Sequence, residues 1–174
     1  MAKNKQRFLF TNNSLSKAGF VKALFQILIF RSKKSRKIVI DLLANYFSVK
    51  KEQVFLFGAG RMSVYLLIRT LNLKPSDEVI VAGYTCVVLT NAIKFTGCSI
   101  KYVDISRATL NLDTQSLIQS VSDRTKVLIV PHNFGIPYND IIEVKSKFPR
   151  IIIIEDVAHS FGATMNGKQT GSLT

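Results

Sequence analysis

"DEVIVAGYTCVVLTNAIKFTGCSIKYVDI", residues 77–105, runs from a short apolar segment through a turn into a helical stretch closed by Gly97, and then into a second apolar segment. The spacing predicts a strand over 79–82, a helix over about 86–96 and a strand over 100–103. The same alternation continues in both directions. Toward the C-terminus it predicts a helix over 114–121 with Asp113 as its N-cap, a strand over 126–130, a helix over about 138–147 and a strand over 151–155. Toward the N-terminus, "VFLFGAGRMSVYLLIRTL" passes from an apolar run through Gly58-Ala59-Gly60 into a helix from about Arg61 to Leu71. Before that, Ile38, Leu42 and Tyr46, beside Val39, Leu43 and Phe47, give a helix over 36–47 with one apolar face. Strands alternating with helices predict a three-layer α/β/α fold with a mostly parallel central sheet, covered on both faces. There is no internal repeat and no low-complexity linker.

A chain of 174 residues with 47% hydrophobic composition is large enough for one ordinary domain with a core of its own. Cys86 and Cys98 form neither a CxxC nor a dense cysteine framework, and no leader pattern opens the chain, so the expected compartment is a reducing cytoplasm. The longest early apolar run, "FVKALFQILIF", is broken by Lys22 and Gln26 and is too short to span a bilayer. Charge is unevenly placed. Residues 1–61 carry 13 Lys and Arg against two acids, a net +11, whereas residues 62–174 carry 11 against nine, a net +2. The basic "RSKKSRK" at 31–37 follows that apolar run, and residues 17–37 could therefore lie on an anionic membrane surface or grip phosphates. The plainer reading is a solvated helix end beside a packing helix. No aromatics interleave with these cations, so no nucleic-acid partner is expected.

Chemistry gathers at "IIIIEDVAHS", residues 151–160. An all-isoleucine strand reads as buried on both faces, yet it delivers Glu155 and Asp156 at its end and His159 three residues on. A carboxylate costs several kcal/mol to bury without a partner, so these acids need either solvent or a cation. In open α/β sheets ligands sit beyond the carboxyl ends of the strands, and both acids are expected to point into that crevice from a central strand. "GAG" at 58–60 opens a helix at another such edge, where amides of a helix N-terminus can receive a phosphate. It is not a P-loop or a GxGxxG, and a purely structural turn would also account for it.

"GAGRMSVYLLIRTL", "DEVIVAGYTCVVLTNAIKFTGCSIKYVDI", "LNLDTQSLIQSVSDRTKVLIVPHNFGIP" and "IIIIEDVAHSFGATMNGKQTGSL" together resemble, in order and spacing, the first half of the DegT/StrS sugar aminotransferases. These are fold type I enzymes that use pyridoxal 5'-phosphate to aminate keto-sugars carried on nucleotides, for polysaccharide, lipopolysaccharide or other glycan synthesis. The resemblance runs from about residue 50 onward and implies two regions, a basic, helical segment over 1–35 and an incomplete transferase large domain over 36–174. It also implies an amino-acid amino donor and a homodimer. Asp156 matches the aspartate that bonds the protonated pyridine nitrogen, and His159 the Gln or His that reaches the ring hydroxyl. Gly60, Arg61 and Met62 match the phosphate turn, where the family usually carries a small hydroxyl residue after the glycine. Cys86 stands where the family commonly stacks an aromatic ring on the cofactor, with Tyr84 two residues earlier. Taken without the resemblance, Asp156 could be a turn carboxylate, His159 a histidine satisfied by a carbonyl, and Cys86 a small buried residue.

The family's Schiff-base lysine follows a "GSLGD" stretch, whereas this chain reads "GSLT" at 171–174, so no catalytic lysine is assigned. Lys168 lies beside Asn166-Gly167, a type I′ hairpin signal, and belongs to a surface turn. The sequence therefore reads as a truncated aminotransferase polypeptide, inactive alone. The alternatives are a cofactor-binding module without catalysis and a basic module that associates with membranes or polyanions. Related cofactor-dependent dehydration is as compatible with these motifs as transamination.

Overall fold

The computed structural model describes residues 16, 18–21, 24–25 and 33–174. Its elements are helix α1 (Lys33–Phe47), a 3-10 turn at Lys51–Gln53, α2 (Gly60–Thr70), β1 (Glu78–Ala82), α3 (Val87–Lys94), β2 (Ser99–Val103), α4 (Thr114–Ser120), β3 (Thr125–Pro131), α5 (Ile141–Lys147), β4 (Ile152–Asp156) and a hairpin of β5 (Thr164–Met165) and β6 (Lys168–Gln169). The long strands form one parallel sheet in the order β2-β1-β3-β4. The elements expected over 36–155 are all present, with ends shifted by a few residues; the helical segment expected over 1–35 lies mostly outside the described residues. α5, expected from 138, begins at Ile141, because the Tyr138 amide is bonded to the His132 ring and its side chain is buried under the sheet.

The three layers follow from the period-2 alternation of β1 and β3, which are apolar without interruption over 79–82 and 127–131. In β1, Ile80 and Ala82 face one side and Val79 and Val81 the other; in β3, Leu128 and Val130 oppose Val127 and Ile129. The first set packs against Leu117 of α4 and Ile141 and Val144 of α5, and the second against Ile68 of α2 and Leu89 and Ile93 of α3. Asp113 caps α4 as expected, its carboxylate accepting from the Ser116 amide at 2.8 Å. The turn at Asn166-Gly167 has φ of +50° and +78°, the left-handed pair that a type I′ hairpin demands.

Two expectations are corrected. The isoleucine strand, read as central and buried on both faces, is at the edge: β4 pairs with β3 on one side, no strand lies beyond it among the described residues, and Ile152 is 42% exposed. A continuous apolar run looks the same whether its second neighbour is within the described chain or not. The apolar face of α1 is likewise only partly covered, since Ile38, Val39 and Leu42 face solvent. Its last turn does pack. The Tyr46 ring stacks on Phe161 at 4.6 Å, and its hydroxyl donates to Gln169 Oε1 at 2.6 Å, which ties the helix to the hairpin. α1 also runs across residues 35 and 36, where the sequence suggests a boundary, and of residues 17–37, the membrane-facing candidate, residues 17, 22, 23 and 26–32 lie outside the described residues. No described helix is long and apolar enough to cross a membrane.

Candidate functional site

The carboxyl ends of β1, β3 and β4 open into three adjacent turns. After β1 the chain crosses Gly83–Cys86 into α3, with the Gly83 amide donating to the Val103 carbonyl at 2.7 Å; a Cβ at Gly83 would sit 3.3 Å from that same oxygen. After β3 comes His132 and a tight turn at Asn133–Gly135. After β4 the chain turns at 157–163.

Alternation along β4 separates the two acids. Glu155 shares a face with Ile153, which packs on the α4–α5 core, and Asp156 shares a face with Ile154, which packs on the α2–α3 core. Glu155 is not directed at a ligand. Its Oε2 accepts from His132 Nε2 at 3.0 Å and the Gly171 amide at 2.8 Å, and its Oε1 from the Leu173 amide at 2.8 Å and the Thr174 hydroxyl at 3.3 Å. His132 is fully buried and its Nδ1 accepts from the Tyr138 amide at 3.0 Å, so that nitrogen carries no proton and the hydrogen is on Nε2, pointing at Glu155. Burial pushes the Glu155 carboxyl up, but the bonds from His132, Gly171 and Leu173 outweigh it and hold the group below its ordinary range. The expectation that both acids face the crevice is thus corrected for Glu155. Its partners are a neutral imidazole, two amides and the Thr174 hydroxyl, which fasten the segment 171–174 over the core, with Leu173 buried beneath.

Asp156 is different. One oxygen, Oδ1, accepts from the Ala158 amide at 3.0 Å, and the other has no partner among the described residues. The side chain is half-buried at the edge of the turn. His159 is exposed, its ring makes no hydrogen bond among the described residues, and it stacks on Phe134 at 5.9 Å with the planes 29° apart. Phe134 lies in turn 6.0 Å from Tyr84, so Tyr84, Phe134 and His159 form a row across the ends of β1, β3 and β4. Cys86 is exposed and is the residue preceding the first turn of α3.

At the start of α2, the Gly60 and Arg61 amides have no acceptor among the described residues, whereas the Met62 amide already donates to the Ala59 carbonyl at 3.0 Å. A Cβ added at Gly58 or Gly60 would meet nothing within 4 Å, so the space before this helix is open. The Arg61 and Met62 side chains go elsewhere: with Tyr65, Val88, Ala92 and Phe95 they line a groove of about 410 Å³ between α2 and α3. Lys168 is exposed on the hairpin. Phe134 and the Glu155 network are the features sequence reasoning missed. The aromatic before Gly135 in "HNFGIP" is the only local sign of the first, and the second depends on contacts 16 to 23 residues away in the chain.

Residues 41–174 match the DegT/DnrJ/EryC1/StrS aminotransferase family. The chain belongs to that family. Among curated relatives, it is 31% identical over 116 residues to the GDP-perosamine synthase of Escherichia coli O157:H7, covering 66% of this chain and 32% of that protein. It is 35% identical over 117 residues to the UDP-2-acetamido-2-deoxy-3-oxo-D-glucuronate aminotransferase of Pseudomonas aeruginosa, again 66% of this chain and 32% of the relative. The chain therefore spans about a third of the length of these family members. Among solved structures, the E. coli GDP-4-keto-6-deoxy-D-mannose-3-dehydratase with bound hydrated PLP superposes with a TM-score of 0.74 at 27% identity, covering 92% of this chain and 42% of that one. The family domain seen here is an incomplete fold type I large domain, and relatives that aminate and relatives that dehydrate nucleotide-linked sugars share it.

Proposed function

We propose that residues 36–174 form the cofactor-binding part of a pyridoxal-phosphate enzyme that acts on a nucleotide-linked keto-sugar, with an amino-acid amino donor, in glycan synthesis. The observation that carries this reading is the division at the end of β4: Glu155 is consumed by structure, while Asp156 keeps one carboxylate oxygen without a partner among the described residues. The donor set suits the cofactor's three polar points. An ionised carboxylate complements a protonated pyridine nitrogen, the imidazole of His159 complements a ring hydroxyl, and the free Gly60 and Arg61 amides at the positive end of α2 complement a phosphate. When bound, such a cofactor supplies an electron sink for a carbanion, and the carboxylate at its ring nitrogen sustains that role.

The fold further suggests a homodimer, because Phe95 (81% exposed), Val87 and Met62 leave the α2–α3 side apolar and open. Free Cys86 and Cys98 suit a reducing cytoplasm. A weak contact with anionic membrane surfaces is assigned to the basic stretch over residues 17–37.

The test is a titration of the 174-residue chain with pyridoxal phosphate at fixed pH, followed by absorbance, against Asp156→Asn. Loss of a charge-assisted bond costs about 1.5–3 kcal/mol, tenfold or more in affinity. Equal affinities for the two proteins would refute the assignment of Asp156.

A further inference from the structure

Two bulky residues sit in the left-handed region, Leu110 in the loop after β2 and Phe134 in the turn after β3, each with φ of +57°. Side chains of this size rarely adopt that conformation, and it persists only where the surroundings impose it. Here the surroundings are a pair of buried asparagines. Asn111 and Asn133 are 0% and 4% exposed. The Asn133 amide donates to Asn111 Oδ1 at 2.9 Å, Asn133 Nδ2 donates to the Leu110 carbonyl at 2.8 Å, and Asn111 Nδ2 donates to the Ile136 carbonyl at 2.9 Å. These bonds bracket Phe134 on both sides and tie the turn after β3 to the loop after β2. Both polar atoms of the Asn111 side chain and the Asn133 side-chain nitrogen are bonded, so the clasp is held at several points as well as buried.

The clasp forces the Phe134 ring out of the core, where it is 42% exposed, and into the row between Tyr84 and His159. An aromatic side chain held at a strained φ and left exposed gains little for stability in either respect. What it does touch is the His159 ring, and Gly135 lies against the His159 carbonyl, 3.6 Å from the position of a Cβ. Because the imidazole has no hydrogen bond among the described residues, the stack on Phe134 is what fixes its orientation.

We infer that Phe134, presented by the Asn111–Asn133 clasp, is a positioning residue that orients the His159 imidazole beside Asp156. The inference rests on the cofactor reading for what His159 contacts, and stands on the geometry alone for how it is held. The chain has two histidines, so proton NMR of its imidazole signals is assigned by their loss in His159→Ala. In the wild-type chain the His159 ring protons carry an upfield shift from the Phe134 ring, which Phe134→Ala abolishes and Phe134→Tyr keeps. Should Phe134→Ala fail to fold, Phe134→Leu removes the ring at nearly constant volume and gives the same reading. Phe134→Gly, which relieves the positive φ, keeps or raises the melting temperature while losing the shift, a combination that a merely structural phenylalanine would not produce. With pyridoxal phosphate as the probe, Phe134→Ala weakens binding by about threefold to tenfold, the size of one neutral hydrogen bond. It has no further effect in a His159→Ala background, and Phe134→Tyr restores wild-type affinity. Unshifted His159 protons in Phe134→Ala, or additive effects of the two substitutions on affinity, would overturn the inference. Absence of cofactor binding by the wild-type chain would refute the proposed function and leave the NMR result to decide the role of Phe134.

Discussion

Replacing Glu155 with glutamine keeps the shape of the side chain and removes its charge, and the network around it allows the consequence to be worked out. Oε2 receives two hydrogens, from His132 and the Gly171 amide, and Oε1 two more, from the Leu173 amide and the Thr174 hydroxyl. Whichever oxygen becomes an amino group, at least one backbone N–H then faces a donor, and the remaining bonds lose their charged acceptor. A bond to a charged acceptor contributes about 1.5–3 kcal/mol and an orphaned buried donor costs a further 1–3 kcal/mol. The expected loss is about 3 kcal/mol, which for local opening of the 171–174 segment is about a hundredfold faster exchange. Hydrogen exchange at the Gly171 and Leu173 amides, read beside urea unfolding, measures both. The pH dependence has a definite sign. The folded carboxyl is held below its ordinary value near 4.5, so its contribution is present above that value and is lost as pH falls through the lower folded one. Wild type and Glu155→Gln therefore differ most above about pH 5 and converge in acid. Exchange within twofold of wild type at neutral pH, or a gap that widens in acid, would refute the role assigned to Glu155.

The two acids should separate cleanly: Glu155→Asp, too short to reach both amides, loosens the 171–174 segment and loses little cofactor affinity, while Asp156→Asn does the reverse, as exchange and titration on the same samples would show. Leu117→Ala removes a fully buried side chain between α4 and the sheet and should cost about 2–5 kcal/mol in urea unfolding. Gly171→Ala should weaken the docking of α1, because φ is +91° and the added Cβ would come within 2.8 Å of Phe47 Cε1. It should also disturb the Gly171 amide that Glu155 holds, and a melting temperature equal to wild type would count against this packing.

How much of this was legible in the sequence depends on the range of the cause. Elements set by local pattern were readable: the strand-helix-strand unit over 77–105, the Asp113 cap, the Asn166-Gly167 turn. Each is decided by residues within one or two turns of chain. The edge position of β4 was not readable, because four isoleucines satisfy the pattern of a doubly covered strand without saying what covers it. Nor was the open face of α1, where the periodicity at Ile38, Val39 and Leu42 marks a surface and not its partner. Phe134 escaped notice for a similar reason. Its strain and its stacking are imposed by Asn111 and by His159, 23 and 25 residues away.

The question raised by two acids at the end of an apolar strand has two answers because a strand has two faces. Residue 155 turns toward the α4–α5 core, where a charge is tolerable only if several donors meet it, and four do. Residue 156 turns to the α2–α3 side, where the chain leaves the sheet and one oxygen has no partner among the described residues. The arrangement makes the first acid a condition for the second. By fastening 171–174 and the His132 ring, Glu155 ties the segment after the hairpin to the end of β3, whose Pro131 pairs with Asp156 and whose His132 amide donates to the Asp156 carbonyl at 3.3 Å. The backbone that presents the free carboxylate is thereby held from both sides, and its neighbours in sequence, Ala158 and His159, inherit their placement from it. A pair of adjacent carboxylates at a strand end is then best read as one structural anion and one available anion, assigned by which face carries the donors.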